Sequence, residues 1–232
     1  MDTTIDIPET PDRLRWKPVI LGFGVLTIVI VALLGWQLLR SRPRDIRKFD
    51  AVEIAQLETE MWKAYYAKDQ LNLYWGLTRM LREQYGFSIL KANSVAWQAT
   101  RAAFVFKKGR SRSDYELALP YLRSFYEAIR DASKESFDTD AAAKLELEWW
   151  IIHRQRETYT REDLDKALAR LPAELYKVPA GDLMEHAHLR AEAMLVRDYD
   201  SENGGVSEAE WNRINGLLKA SWTALSVVVK PR

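Results

Sequence analysis

The chain has 232 residues and a net charge of +1, with 47% hydrophobic and 29% charged residues. That is a globular balance with room for one domain and an appendage. A charge so near zero argues against a general nucleic-acid binder, which needs a basic surplus. The absence of cysteine excludes disulfides, zinc–thiolate sites, iron–sulfur clusters and thiol nucleophiles.

Residues 1–17 form a mixed tail in which Arg13, Arg15 and Lys17 are diluted by Asp2, Asp6, Glu9 and Asp12. Next comes "PVILGFGVLTIVIVALLGWQLL", 22 residues without a charge. This length crosses a hydrocarbon core of about 30 Å at about 1.5 Å per residue, and predicts a single transmembrane helix over 18–39. Trp16 and Trp36 bracket the stretch as an aromatic belt would. A cleaved signal peptide fits less well: its apolar region is shorter and ends in small residues, whereas this one ends in leucines and "RSRPR".

Residues 40–49 read as a basic juxtamembrane linker carrying Arg40, Arg42, Arg44, Arg47 and Lys48. Five cations after the span against three before it place the C-terminal part on the cytoplasmic side by the positive-inside rule. Arg40, Arg42 and Arg44 are the expected interface cations, able to meet anionic head groups or to act only as a stop-transfer signal.

From residue 50 to 232 the expected architecture is all-α, an antiparallel bundle or short helical array of about seven to eight helices. Helices are predicted at 51–68, 70–85, 88–107, 112–133, 139–157, 161–177, 181–199 and 207–229. Asp50 with Glu53 and Ser207 with Glu210 make capping-box patterns, and Thr160 with Asp163 a looser one. Gly86 and Gly109 stand where helix ends favour a left-handed residue. Pro120 is expected to kink its helix and Pro172 to break or kink the next but one. Apolar stripes at helical spacing run through Leu73, Leu77, Met80 and Leu81, and through Trp211, Ile214, Leu218 and Leu225. Ala92, Ala96, Ala99 and Ala103 share a face. No repeat of 33–47 residues emerges, although "LETEMW" (57–62) is echoed by "LELEWW" (145–150).

"LELEWWIIHR", Leu145 to Arg154, is apolar around nearly its whole circumference and is expected to be a central helix. Turning each residue by 100° places Glu58 on the apolar face of its helix and Glu60 towards solvent. Glu146 and His153 fall on one stripe, seven residues and about 10.5 Å apart. A buried carboxylate needs a partner or a proton. Glu58, Glu146 and His153 are therefore the candidates for an internal metal or acid–base site. The alternative is that both glutamates bond to arginine, tyrosine or tryptophan and set the packing. Di-iron bundles use Glu-x-x-His pairs, and this chain has none. His186 and His188 lie about 200° apart on a helix and cannot chelate one ion from it.

There is no Gly-x-x-x-x-Gly-Lys, Gly-x-Gly-x-x-Gly or Gly-x-Ser-x-Gly motif, and no catalytic set is expected. "FKKGRSRSD" (106–114) clusters four cations in an interhelical loop. "DYDSENGG" (198–205) lacks the calcium-loop pattern. Trp75 lies off the apolar stripe of its helix near Arg79 and Arg82. The adjacent pair Trp149 and Trp150 is buried only if elements pack on two sides. These three tryptophans are the candidate partner contacts. The expected function is a single-pass, membrane-anchored accessory or scaffold protein that binds a protein partner, with no cofactor and no nucleic acid. The alternative is a helical-bundle enzyme or a ligand or metal carrier around Glu58, Glu146 and His153. An apolar small-molecule binder is a third possibility.

Overall fold

The computed structural model describes residues 27–36, 39–42, 44–133, 135–202 and 204–230. The chain divides into two compact units, Met1–Arg40 and Ser41–Arg232.

In the first unit residues 27–36 are helical. The Arg40 amide donates to the Trp36 carbonyl at 3.0 Å, and its guanidinium lies 5.8 Å from the Trp36 ring centre. The predicted span 18–39 falls partly outside the described residues, and Trp16 wholly so. Among the described residues no helix is long and apolar enough to cross a membrane.

The second unit is all-helical, with no strand among the described residues. Its elements are α1 (Ala51–Tyr66), α2 (Gln70–Tyr85), α3 (Ile89–Lys108), α4 (Arg112–Glu116), α5 (Leu119–Ser133), α6 (Thr139–Arg154), α7 (Arg161–Tyr176), a 3₁₀ turn (Ala180–Leu183), α8 (Met184–Glu202) and α9 (Glu208–Val229). Local chemistry sets most of these ends. The Asp50 carboxylate accepts from the Val52 and Glu53 amides, while Thr160 with Asp163 and Ser207 with Glu210 form reciprocal capping boxes. Each satisfies amides that the first helical turn leaves without partners.

Three expectations need correction. Residues 112–133 are two helices: the short α4, which Ser111 and Asp114 start with a further capping box, and α5, with a turn at Leu117–Ala118 between them. The break falls just before Pro120, which lacks the N–H that a continuous helix would need and instead sits in the first turn of α5, where that donor has no partner to lose. Helix α7 runs through Pro172 without a break. Gly109 is not left-handed: it is extended at φ −66° and ψ 151°. Glycine is needed there because a Cβ would come within 2.7 Å of the Tyr115 ring.

The helices pack in a closed circuit. Helices α1, α2 and α3 pack in sequence, α3 meets α5, and α5 to α9 continue in order until α9 returns onto α1. Helix α6 has core on two sides, as its apolar circumference implied. Leu147, Ile151 and Trp150 join the cluster built with α2–α5, whereas Ile152 and Trp149 join the one built with α7–α9. The stripe Trp211, Ile214, Leu218 and Leu225 is buried throughout. In the alanine row Ala92 and Ala96 are fully buried but Ala103 is exposed, and Ala102 takes the inward place.

The basic segment after Arg40 is part of the fold. The Arg42 amide donates to the Gly86 carbonyl at 2.7 Å, and the Ser41 hydroxyl accepts from the Ser88 amide at 3.1 Å. Ile46 is buried. The Arg47 guanidinium bridges Glu135 (2.9 Å) to the carbonyls of Tyr176 (2.6 Å) and Val229 (3.3 Å). Arg44 pairs with Glu83. Lys48 pairs with Asp45 at 3.6 Å, so three of the five linker cations meet a carboxylate within the domain.

Gly86 holds this docking. Its φ is +68°, and a Cβ would lie 1.8 Å from the Arg42 carbonyl oxygen. Gly86→Ala is expected to cost at least about 1–2 kcal/mol from the left-handed backbone alone. It should also free the Arg42 amide. Hydrogen exchange at that amide, compared with the α9 core amides, checks the release.

Candidate functional site

The polar residues singled out from sequence lie in the interior, where three helices supply partners that their own helices could not. Glu58, on α1, is 4% exposed. Its carboxylate accepts a two-pronged contact from Arg190 of α8, at 2.8 and 2.6 Å, and the indole N–H of Trp222 of α9 at 2.8 Å. Planar guanidinium and carboxylate match geometrically, so this pair is both strong and directional.

Glu146 occupies the echoed position on α6. It accepts the Tyr126 hydroxyl at 2.8 Å and the indole N–H of Trp150, one turn along, at 2.9 Å. Burial pushes its carboxyl above the usual carboxylate range, against the donors of Trp149, Tyr126 and Trp150 and the charge of Arg190. Burial also raises Tyr126 and Tyr85 far above an ordinary phenol, with Glu146 adding to both. These hydroxyls stay protonated, which leaves the Tyr126 hydroxyl able to donate to Glu146. Arg190 pairs directly with Glu58, and its charge also favours the ionised form of Glu146.

His153 does not face this region. Although it shares a stripe with Glu146, α6 is sandwiched, and its Nε2 lies 2.7 Å from Asp198 of α8. Asp198 is a second hub. It accepts from Arg197 (2.8 and 3.0 Å) and from the Tyr66 hydroxyl (2.9 Å), with Arg156 at 3.6 Å. Burial opposes its charge, but the His153 hydrogen bond and the Arg197 guanidinium outweigh that and hold the carboxyl well below its usual range. The Tyr66 hydroxyl is pushed up to about 12, first by burial. Arg197 also stacks on Trp62, 4.4 Å from the ring centre.

The remaining histidines diverge as their 200° separation requires. His186 is buried against Ser221, whose hydroxyl lies 2.8 Å from Nδ1. Burial, helped by Arg190, pulls its pKa from 6.5 down to about 4. His188 turns outward to Asp165 at 2.8 Å.

Among the described residues no group of three histidine, aspartate or glutamate side chains is placed to hold a metal ion. Neither of the two best-formed clefts is lined by Glu58, Glu146 or His153. The larger, about 540 Å³ and open to solvent, is lined by Arg47, Lys48, Phe49, Ala51, Ser226 and Lys230. Chemically these groups form ion pairs and hydrogen bonds that clamp α1, α8 and α9 together and tie α5 to α6. Arg190 and Asp198 carry most of it, and neither stood out in the sequence. Their only local signal is position, because each falls among the alanines of α8 that pack inward.

The candidate contact tryptophans separate. Trp75 is 61% exposed on α2, with Leu71 one turn before it at 74%. Trp149 and Trp150 are partly buried, ring against ring at 6.1 Å, with Trp150 also against Phe106. They are packing residues, because core lies on both sides of α6. Comparison with protein-family models, curated proteins and solved structures gives no match.

Proposed function

We propose that the protein is a single-pass membrane-anchored helical scaffold that holds a protein partner beside the bilayer. The observation that carries the reading is the exposed ridge of Leu71 and Trp75 on α2, next to Arg79. Tryptophan and arginine beside an aliphatic side chain make the composition of an interaction hot spot, and Leu71 and Trp75, one turn apart, are a contiguous exposed apolar pair rather than scattered single residues. The anchor rests on the charge-free stretch 18–39. Within it Ile28, Val31, Leu33, Leu34 and Trp36 are each more than half exposed, as suits side chains solvated by lipid.

Two measurements test the reading separately. Alkaline carbonate should leave the full chain in the membrane pellet; release into the supernatant removes the anchor. Benzoylphenylalanine in place of Trp75 should crosslink one protein in native membranes, whereas the same probe at the exposed Asp131 should not. Leu71→Asp should abolish the adduct. Equal labelling from both positions would sink the partner ridge.

A further inference from the structure

Helix α3 carries a second exposed apolar line. Leu90, Trp97 and Phe104 are each half or more exposed, and they recur every seven residues. Seven steps of 100° return within 20° of the start, so the three form one row about 21 Å long. Charge is distributed around this row with one sign. Between Gly86 and Ser113 there are six cations and no acid, in a chain whose net charge is +1. Arg112 is taken up by Glu116 and Glu148, and Arg101 stacks on Tyr121 at 4.4 Å. Lys91, Lys107, Lys108 and Arg110 are exposed and form no ion pair with a described residue.

Where the row begins is also fixed. Ser88 is the N-cap of α3, and its amide is bonded to the Ser41 hydroxyl. Only Arg40 separates Ser41 from the end of the charge-free stretch at Leu39. An anchor in the bilayer therefore delivers the start of α3 to the membrane surface on a tether of one residue, where the effective concentration of head groups is high. A tryptophan, a phenylalanine and a leucine in line, rimmed by lysines, match the composition of helices that lie in a lipid interface.

We propose that this face of α3 rests on the anionic surface of the bilayer that holds the anchor. Leu90, Trp97 and Phe104 enter the head-group region, and Lys91, Lys107 and Lys108 meet lipid phosphates. The proposal rests on the anchored reading above but not on the α2 ridge.

The absence of cysteine makes single-site labelling clean. The full chain carrying Ser94→Cys, labelled with the polarity-sensitive NBD group, is placed in lipid nanodiscs of phosphatidylcholine alone or mixed with phosphatidylglycerol. The label at 94 should blue-shift and brighten in the anionic discs, and a label at Asp131→Cys should not. The triple change Lys91→Glu, Lys107→Glu, Lys108→Glu should remove the shift while the chain stays in the disc. Identical spectra in the two discs overturn the proposal. So does benzoylphenylalanine at Trp97 giving a protein adduct rather than a lipid adduct in native membranes. If the chain is not retained by discs at all, the anchor has failed, and the same labelled protein is added to preformed anionic vesicles. Co-sedimentation, weakened roughly fivefold for each lysine neutralised, then keeps the α3 face; no co-sedimentation rejects it.

Discussion

Glu58→Ala is expected to destabilise the helical domain by about 3–5 kcal/mol, because it strands a charge rather than merely deleting one. Arg190, 20% exposed at its side chain, would lose both prongs of its contact, and the Trp222 indole N–H would lose its acceptor. For a domain of this size that corresponds to a fall in Tm of roughly 10 °C. Glu58→Gln retains one acceptor oxygen and should cost less. The double change Glu58→Met, Arg190→Leu should also cost less than Glu58→Ala, since an apolar pair leaves no buried charge unmatched. Thermal and denaturant unfolding of the four proteins decides it. A Glu58→Ala loss under about 1 kcal/mol, the range of an exposed pair, would show that the clamp contributes little.

The domain should lose stability with acid in two steps. His186 is held neutral in the folded state at a pKa of about 4, below its ordinary 6.5. Between those values the unfolded chain binds a proton that the folded chain does not, so stability falls as pH drops from 6.5 towards 4. The drop is about 3 kcal/mol if the whole shift is expressed. Asp198 has a depressed pKa, so its stabilisation is complete above the unfolded value of about 4 and is lost as pH falls below it. Glu146 works in the opposite sense: its raised pKa means that the folded state takes up its proton first. Comparison with His186→Gln isolates the upper step. Denaturant unfolding at pH 7, 5.5 and 4.5 should show a steeper decline for the native chain than for the variant. Parallel lines would remove His186 as the cause.

The caps show what was legible in advance. Thr160 with Asp163 and Ser207 with Glu210 act through three residues of chain, so their spacing alone specifies them. Gly86 was legible for the same reason, since its left-handed φ ends α2. Gly109 looked identical in sequence, yet it is glycine because the Tyr115 ring presses on it, and no local pattern reveals a neighbour's ring. Glu58 and Glu146 were legible as buried carboxylates with structural partners. The grouping of His153 with Glu146 was not correct, because a shared stripe does not say how many helices cover it.

Sequence by itself determined the helices, most of their ends, the charge-free stretch 18–39 and the apolar lines along each helix. All of these follow from interactions within one or two turns, where spacing and geometry are the same thing. Only the tertiary structure decided that α9 closes onto α1, that Arg190 clamps Glu58, and that Ser41 and Arg42 are bound to the α2–α3 turn. Those pairings join residues 44 to 164 positions apart. Packing of the whole core selects them, and a one-dimensional pattern of apolar and charged residues fits many such arrangements equally well.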